Sequence, residues 1–163
     1  MNKYNDTGDW YKDRHDRLME WTEDTEAVNW LENYISALEF YDDLIDKDKK
    51  IQEETVISNI YNALLYMPSN PFWLKHYHIL GPQILLGMRS CSLANKLEKR
   101  KEGDDLIWSY VLRQVVDITI TVVELTRGKD IADLLELDIH DWALNHPNRK
   151  MESFDEYKRE HTE

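Results

Sequence analysis

Apolar residues recur along this chain at the three-to-four spacing of helices almost throughout. Residues 9–21 hold Trp10, Leu18 and Trp21 among alternating charges and read as an amphipathic arm. The next helix, capped by Thr22 or Thr25 with acids in its first turn, runs to about Asp46. A short charged loop leads to a helix near 53–67 that ends before Pro68. In PSNPFW, Asn70 is the expected N-cap and Pro71 the first helical residue. That helix reaches about Leu80, Gly81-Pro82 breaks it, and a longer one continues to about Lys101. The stretch 105–127 is rich in Val, Ile and Thr, which favours a strand. It has no turn signal before Gly128 and is too long for an ordinary strand, so helix is expected. A last helix covers about 130–145, and the charged tail 146–163 reads as loose unless Phe154 and Tyr157 dock.

These elements predict an all-α fold: one domain over residues 1–163, with five to seven helices in orthogonal or bundle-like packing. The 105–127 helix is apolar on most sides and should lie at the centre.

Composition changes that picture in a few places. The 5 Gly and 4 Pro leave little for the turns of an all-β fold, and 42% hydrophobic residues exclude a disordered chain. The single cysteine, Cys91, excludes an intrachain disulfide. It sits among apolar residues, as a packed thiol would, and the chain reads as reduced and cytoplasmic. The polar start has no apolar core of a signal peptide, and no run approaches the roughly 18 apolar residues of a membrane span, so no membrane is expected. The net charge of −12 disfavours nucleic acid and suits a divalent cation, a basic protein partner, or plain solubility.

Candidate chemistry centres on YDDLIDKDKK, residues 41–50. At about 100° per residue, Leu31, Ile35, Leu38 and Ile45 share one stripe, and Asp42 falls inside it. Glu39 and Asp46 flank it. An acid on a core-facing line costs several kcal/mol unless it is protonated, paired or bound to a metal. On the 105–127 helix, Arg113, Asp117 and Glu124 lie within about 40° of one another. If that stripe faces Asp42, the site comprises Glu39, Asp42 and Asp46 as metal ligands, with Arg113 and Asp117 completing it. Oxygen ligands suit Mg²⁺ or Mn²⁺, and also Ca²⁺, and such a site could hold a phosphate group. His76, in HYH at 76–78, is an outlying base or a structural histidine. The bland alternatives are that Asp42 pairs with Arg113 as a structural group, that the Arg113 stripe faces solvent, and that Asp43 to Lys50 are a solvated helix end.

Sharper motifs fail. DKDKKIQEE lacks the central Gly of an EF-hand loop and has Ile57 at the twelfth position from Asp46. DDLID resembles the aspartate-rich motif of isoprenoid diphosphate synthases, but DLLELD is a poor match to the second motif, and those domains are roughly twice as long. Glu39-x-x-Asp42 could open a helical pyrophosphohydrolase motif, yet VISNIYNALLYM supplies no second carboxylate. No GxSxG, P-loop or CxxC is present. The aromatic and apolar residues around the second helix are core or a partner surface, with Phe40 and Leu44 on its far face.

The strings DDLIDKDK (42–49), NPFWLKHY (70–77), LANKLE (93–98) and VLRQVVD (111–117) resemble a family of small helical proteins encoded by tailed bacteriophages. The resemblance covers about 38–125. It implies a viral protein, in the host cytoplasm or on the virion, and singles out Asp43, Asp46, Asp48, Asn70, His76, Arg113 and Asp117. Two functions are therefore expected. In one, an acidic inter-helix site binds a divalent cation and acts on a phosphate-containing substrate. In the other, a non-catalytic acidic protein binds a basic host or virion protein, or associates with itself.

Overall fold

The computed structural model describes residues 9–46, 51–113, 116–145 and 153–162. Among them the chain is all-α, with no strand. The first helix, α1, is Trp10–Thr22; Asp9 caps it by accepting from the Tyr11 and Lys12 amides. Glu23, at φ 52, turns the chain out of α1 and sends its N–H to the Met19 carbonyl. The second helix, α2, is Thr25–Asp46. Its cap is neither Thr22 nor Thr25 but Asp24, whose Oδ1 accepts from the Ala27 amide at 3.0 Å. The Thr22 hydroxyl is buried and donates back to the Leu18 carbonyl at 2.8 Å.

The helix expected near 53–67 is divided into α3 (Glu53–Tyr61), a wider π-helical turn (Asn62–Tyr66) and the short α4 (Met67–Ser69). Asn62 is the one buried residue of this segment, and its Nδ2 donates to the Asn33 carbonyl on α2 at 3.1 Å. Asn70 caps α5 as expected, accepting from the Trp73 amide at 3.1 Å. The expected break at Gly81-Pro82 is absent, and α5 runs uninterrupted from Pro71 to Arg100. Pro82 lies on the exposed side, where water can serve the carbonyl that lost its N–H partner.

The stretch 105–127 is likewise not one helix. It forms α6 (Asp105–Leu112) and α7 (Asp117–Arg127). Only its second half is central: Ile118, Val122 and Val123 are buried, whereas Ile107, Trp108 and Val111 on α6 are exposed. By length and composition Asp105–Arg127 could cross a membrane, which corrects the reading that no run comes close. A core helix passes the same test. Gly128, at φ 91, starts the turn into α8 (Lys129–Asn145). The tail is not loose where it is described. Residues Phe154–Thr162 form α9, which docks on α6 through Tyr157 and Phe154 against Tyr110, with ring centroids 5.4 and 5.3 Å apart.

One core joins α1, the first half of α2, α5, α7 and α8. Trp30 is its pivot, fully buried and stacked between Tyr34 (5.5 Å) and Trp73 (5.7 Å). The second half of α2 leaves that core, and its Leu44 and Ile45 face solvent.

Candidate functional site

Arg113, at the end of α6, is the hub of the best-formed polar cluster. Asn95 and Glu98 project toward it from one face of α5, three residues apart. Its Nε and Nη2 donate to the two Glu98 oxygens at 2.8 and 2.7 Å, the fork geometry of a bidentate pair. Nη2 also donates to Asn95 Oδ1 at 2.6 Å, and Nη1 to Asp42 Oδ1 at 3.2 Å. From α9, the Tyr157 hydroxyl donates to Glu98 Oε1. The same hydroxyl lies 2.7 Å from Ser109 Oγ, which also reaches the Leu106 carbonyl at 3.0 Å. His161 Nδ1 donates to the Tyr157 carbonyl at 2.9 Å, and Nε2 stands 3.8 Å from Glu98.

The charges reinforce one another. Burial pushes the Glu98 carboxyl up, but hydrogen bonds from Arg113 and Tyr157 outweigh it and hold the group below its ordinary range. Arg113, despite partial burial, is held above its ordinary value by Glu98. Burial, then Glu98, pushes the Tyr157 phenol to about 12. Burial also raises the Cys91 thiol, in keeping with a packed thiol rather than a nucleophile. Most donors and acceptors of the cluster are already paired with one another. Chemically it is a clamp that ties α2, α5, α6 and α9 together.

The expected site is therefore brought together only in part. The Asp42–Arg113 pair forms, but Asp42 is not on a core-facing line: its side chain is 60% exposed, because α2 has left the core by then. Asp117 does not face Asp42. It is 92% exposed, and His140 Nε2 stands 4.0 Å from its Oδ1. Glu39 turns toward α1 and meets Arg14 Nη1 at 3.5 Å. The Asp46 side chain, and Asp48, lie outside the described residues. His76 packs against Phe72, with ring centroids 4.7 Å apart, and burial followed by Lys75 lowers its pKa. It stands 22 residues before Glu98 on α5, or about 33 Å along the axis. Among the described residues no group of three or more His, Cys, Asp or Glu is placed to hold a metal ion. Asp42 is neither buried nor uncompensated, because Arg113 pairs with it at 3.2 Å.

Glu98, Asn95 and Tyr157 were missed. Glu98 had a faint signal as the lone acid in KLEKRK, among four basic residues. Tyr157 was expected only as a residue that could dock the tail, and nothing in the sequence pointed it at Glu98. Two clefts lie elsewhere. One of about 370 Å³, open and acidic, is lined by Glu26, Asn29, Glu32 and Asn33 of α2 and by Tyr66 and Asn70. Another of about 110 Å³ lies between Asp13, Asp16, Arg17, Glu20 and Trp142.

The comparisons with known proteins add no family to this geometry. No protein-family model, no curated protein and no solved structure matches the chain.

Proposed function

We propose that this chain is an acidic helical interaction protein that docks a basic partner protein on the arm formed by α3, the π turn and α4. A single observation carries the reading: the arm buries only Asn62, while Ile60, Tyr61, Leu64, Leu65 and Tyr66 are all exposed. Each square ångström of apolar surface left in water forgoes about 25 cal/mol, and large contiguous exposed patches are uncommon on monomers. Acids cluster at the N-terminal end of the arm, with Asp42 and Asp43 near the end of α2 and Glu53 and Glu54 in the first turn of α3. Such a rim steers a basic partner, and the −12 net charge acts in the same sense. The bacteriophage resemblance would make that partner a host or virion protein met in the host cytoplasm.

The test is a capture experiment with basic host and virion proteins, comparing wild type with the double variant Leu64→Glu/Leu65→Glu. Both positions are exposed, so the melting temperature should stay the same while the captured partner is lost. A double variant that still captures every partner of the wild type would sink the reading.

A further inference from the structure

We infer that this chain also associates with copies of itself head to tail, the outer face of α5 in one copy seating on the outer face of α8 in the next. The inference rests on the reading of the chain as an interaction protein and names a second partner and its two surfaces. The two helices carry opposite charge patterns. In α5 there are Lys75, Arg89, Lys96, Lys99 and Arg100 against one acid, and that acid, Glu98, is turned inward onto Arg113. In α8 there are Asp130, Asp133, Glu136, Asp138 and Asp141 against Lys129, and Lys129 is held by Asp133 at 2.5 Å.

Both outer faces also carry leucines that nothing among the described residues covers. On α8, Leu134 and Leu137 are 75% and 82% exposed, the highest values among the large exposed apolar residues described. On α5, Leu85, Leu86 and Leu93 are exposed. Leu86 and Leu93 are two turns apart on one side of the helix, and Arg89 and Lys96 repeat at the same interval beside them. Leu137 stands among Asp130, Asp133 and Asp141 on the outer side of α8. Laying leucines against leucines brings Arg89 and Lys96 over the aspartates. Like-on-like pairing is disfavoured: α5 on α5 opposes basic residues, and α8 on α8 opposes carboxylates. That excludes a two-fold contact through either face alone. A contact between unlike faces repeats, and it closes into a ring or grows as a filament.

Sedimentation of the full chain decides the matter. Wild type should rise in mass with concentration, and added salt should reverse the rise, because the contact is partly ionic. Leu86→Glu/Leu93→Glu and Leu134→Lys/Leu137→Lys should each sediment as monomers with unchanged circular dichroism. Mixed in equal amounts, they should form a species of two chains and stop there, since each supplies the face the other lacks. If the leucine variants misfold, charge exchange replaces them. Arg89→Glu/Lys96→Glu and Asp130→Lys/Asp133→Lys should each be monomeric alone, and one chain carrying all four changes should associate again. The inference is overturned by a wild type that stays monomeric at all concentrations. It is equally overturned by a mixture that stays monomeric, or by wild type that binds anionic lipid vesicles through α5 without self-association. In those cases loss of the basic partner by Leu64→Glu/Leu65→Glu still upholds the arm reading, so the two proposals fail separately.

Discussion

Val122-Val123 on α7 and Leu64-Leu65 in the π turn are equally apolar pairs in helical backbone. The first pair is completely buried, and the second is 69% and 55% exposed. The difference is in what surrounds them. Helix α7 packs against α1, α2, α5 and α8, so the side that carries Ile118, Val122 and Val123 meets apolar surface, while Asp117 and Glu124 face water. Among the described residues the α3–α4 arm packs chiefly against α2 and the start of α5. Apolar character along a helix thus marks surface that needs covering. Whether the chain itself covers it is decided by tertiary neighbours.

Truncation in the two regions should separate them most widely. Trp30→Ala removes the ring stacked between Tyr34 and Trp73 and should cost about 3–5 kcal/mol by denaturant unfolding. Leu65→Ala in the arm should stay within about 0.5 kcal/mol. A cost of several kcal/mol at Leu65 would mean that the arm is packed within the chain and has no face to offer a partner.

The Arg113 clamp should show the next largest effect, because the Glu98 carboxylate it pairs with is mostly buried. Arg113→Met leaves Glu98 and its burial without a cation and should cost about 3 kcal/mol, of which adding Glu98→Leu should recover a part. The pH dependence follows from the shifts. Glu98 is depressed in the folded state, so its contribution is present above the unfolded carboxyl value of about 4.3 and is lost as pH falls through the folded one. In Arg113→Met, acid unfolding should therefore begin at higher pH than in wild type. Tyr157 is raised to about 12, so its contribution is present below the unfolded value of about 10 and lost as pH rises through about 12. Tyr157→Phe should abolish that alkaline component. Acid and alkaline limits that do not move in these variants would show that the clamp contributes nothing.

These comparisons also mark what could be read from the sequence. The all-α class and most helix positions followed from periodicity and from the cap at Asn70. The Asp42–Arg113 pair followed from asking which cation could meet an acid on the apolar stripe of α2. The failures have definite causes. Angular reasoning carried Asp42 into the core because it treated α2 as packed along its whole length, whereas the core stops after Tyr34 and Leu38. It placed Asp117 beside Arg113 because it assumed one helix where α6 and α7 are separate. It read Pro82 as a break because a sequence does not show which side of a helix faces water. Glu98 and Tyr157 stand 15 and 44 positions from Arg113, and no local pattern connects them.

The smallest expected effect concerns Asp42, and it bears on the metal reading. Its ion pair with Arg113 is exposed on the carboxylate side, so Asp42→Asn should change stability by no more than about 0.5 kcal/mol. Arg113 keeps Glu98 and Asn95 in that variant, so the clamp survives. Thermal melting in EDTA and then in excess Mg²⁺ or Mn²⁺ should give the same small difference between wild type and variant. A bound cation would instead stabilise wild type by mass action, by about 2.7 kcal/mol at a hundredfold excess over Kd. If that rise appeared in wild type and vanished in Asp42→Asn, the far end of α2 would have to reorganise around the ion, drawing Asp42 away from Arg113. The acidic rim of the arm would then be a metal site first and a docking rim second, and the contrast between a closed core and an open arm would become one between metal-free and metal-loaded states.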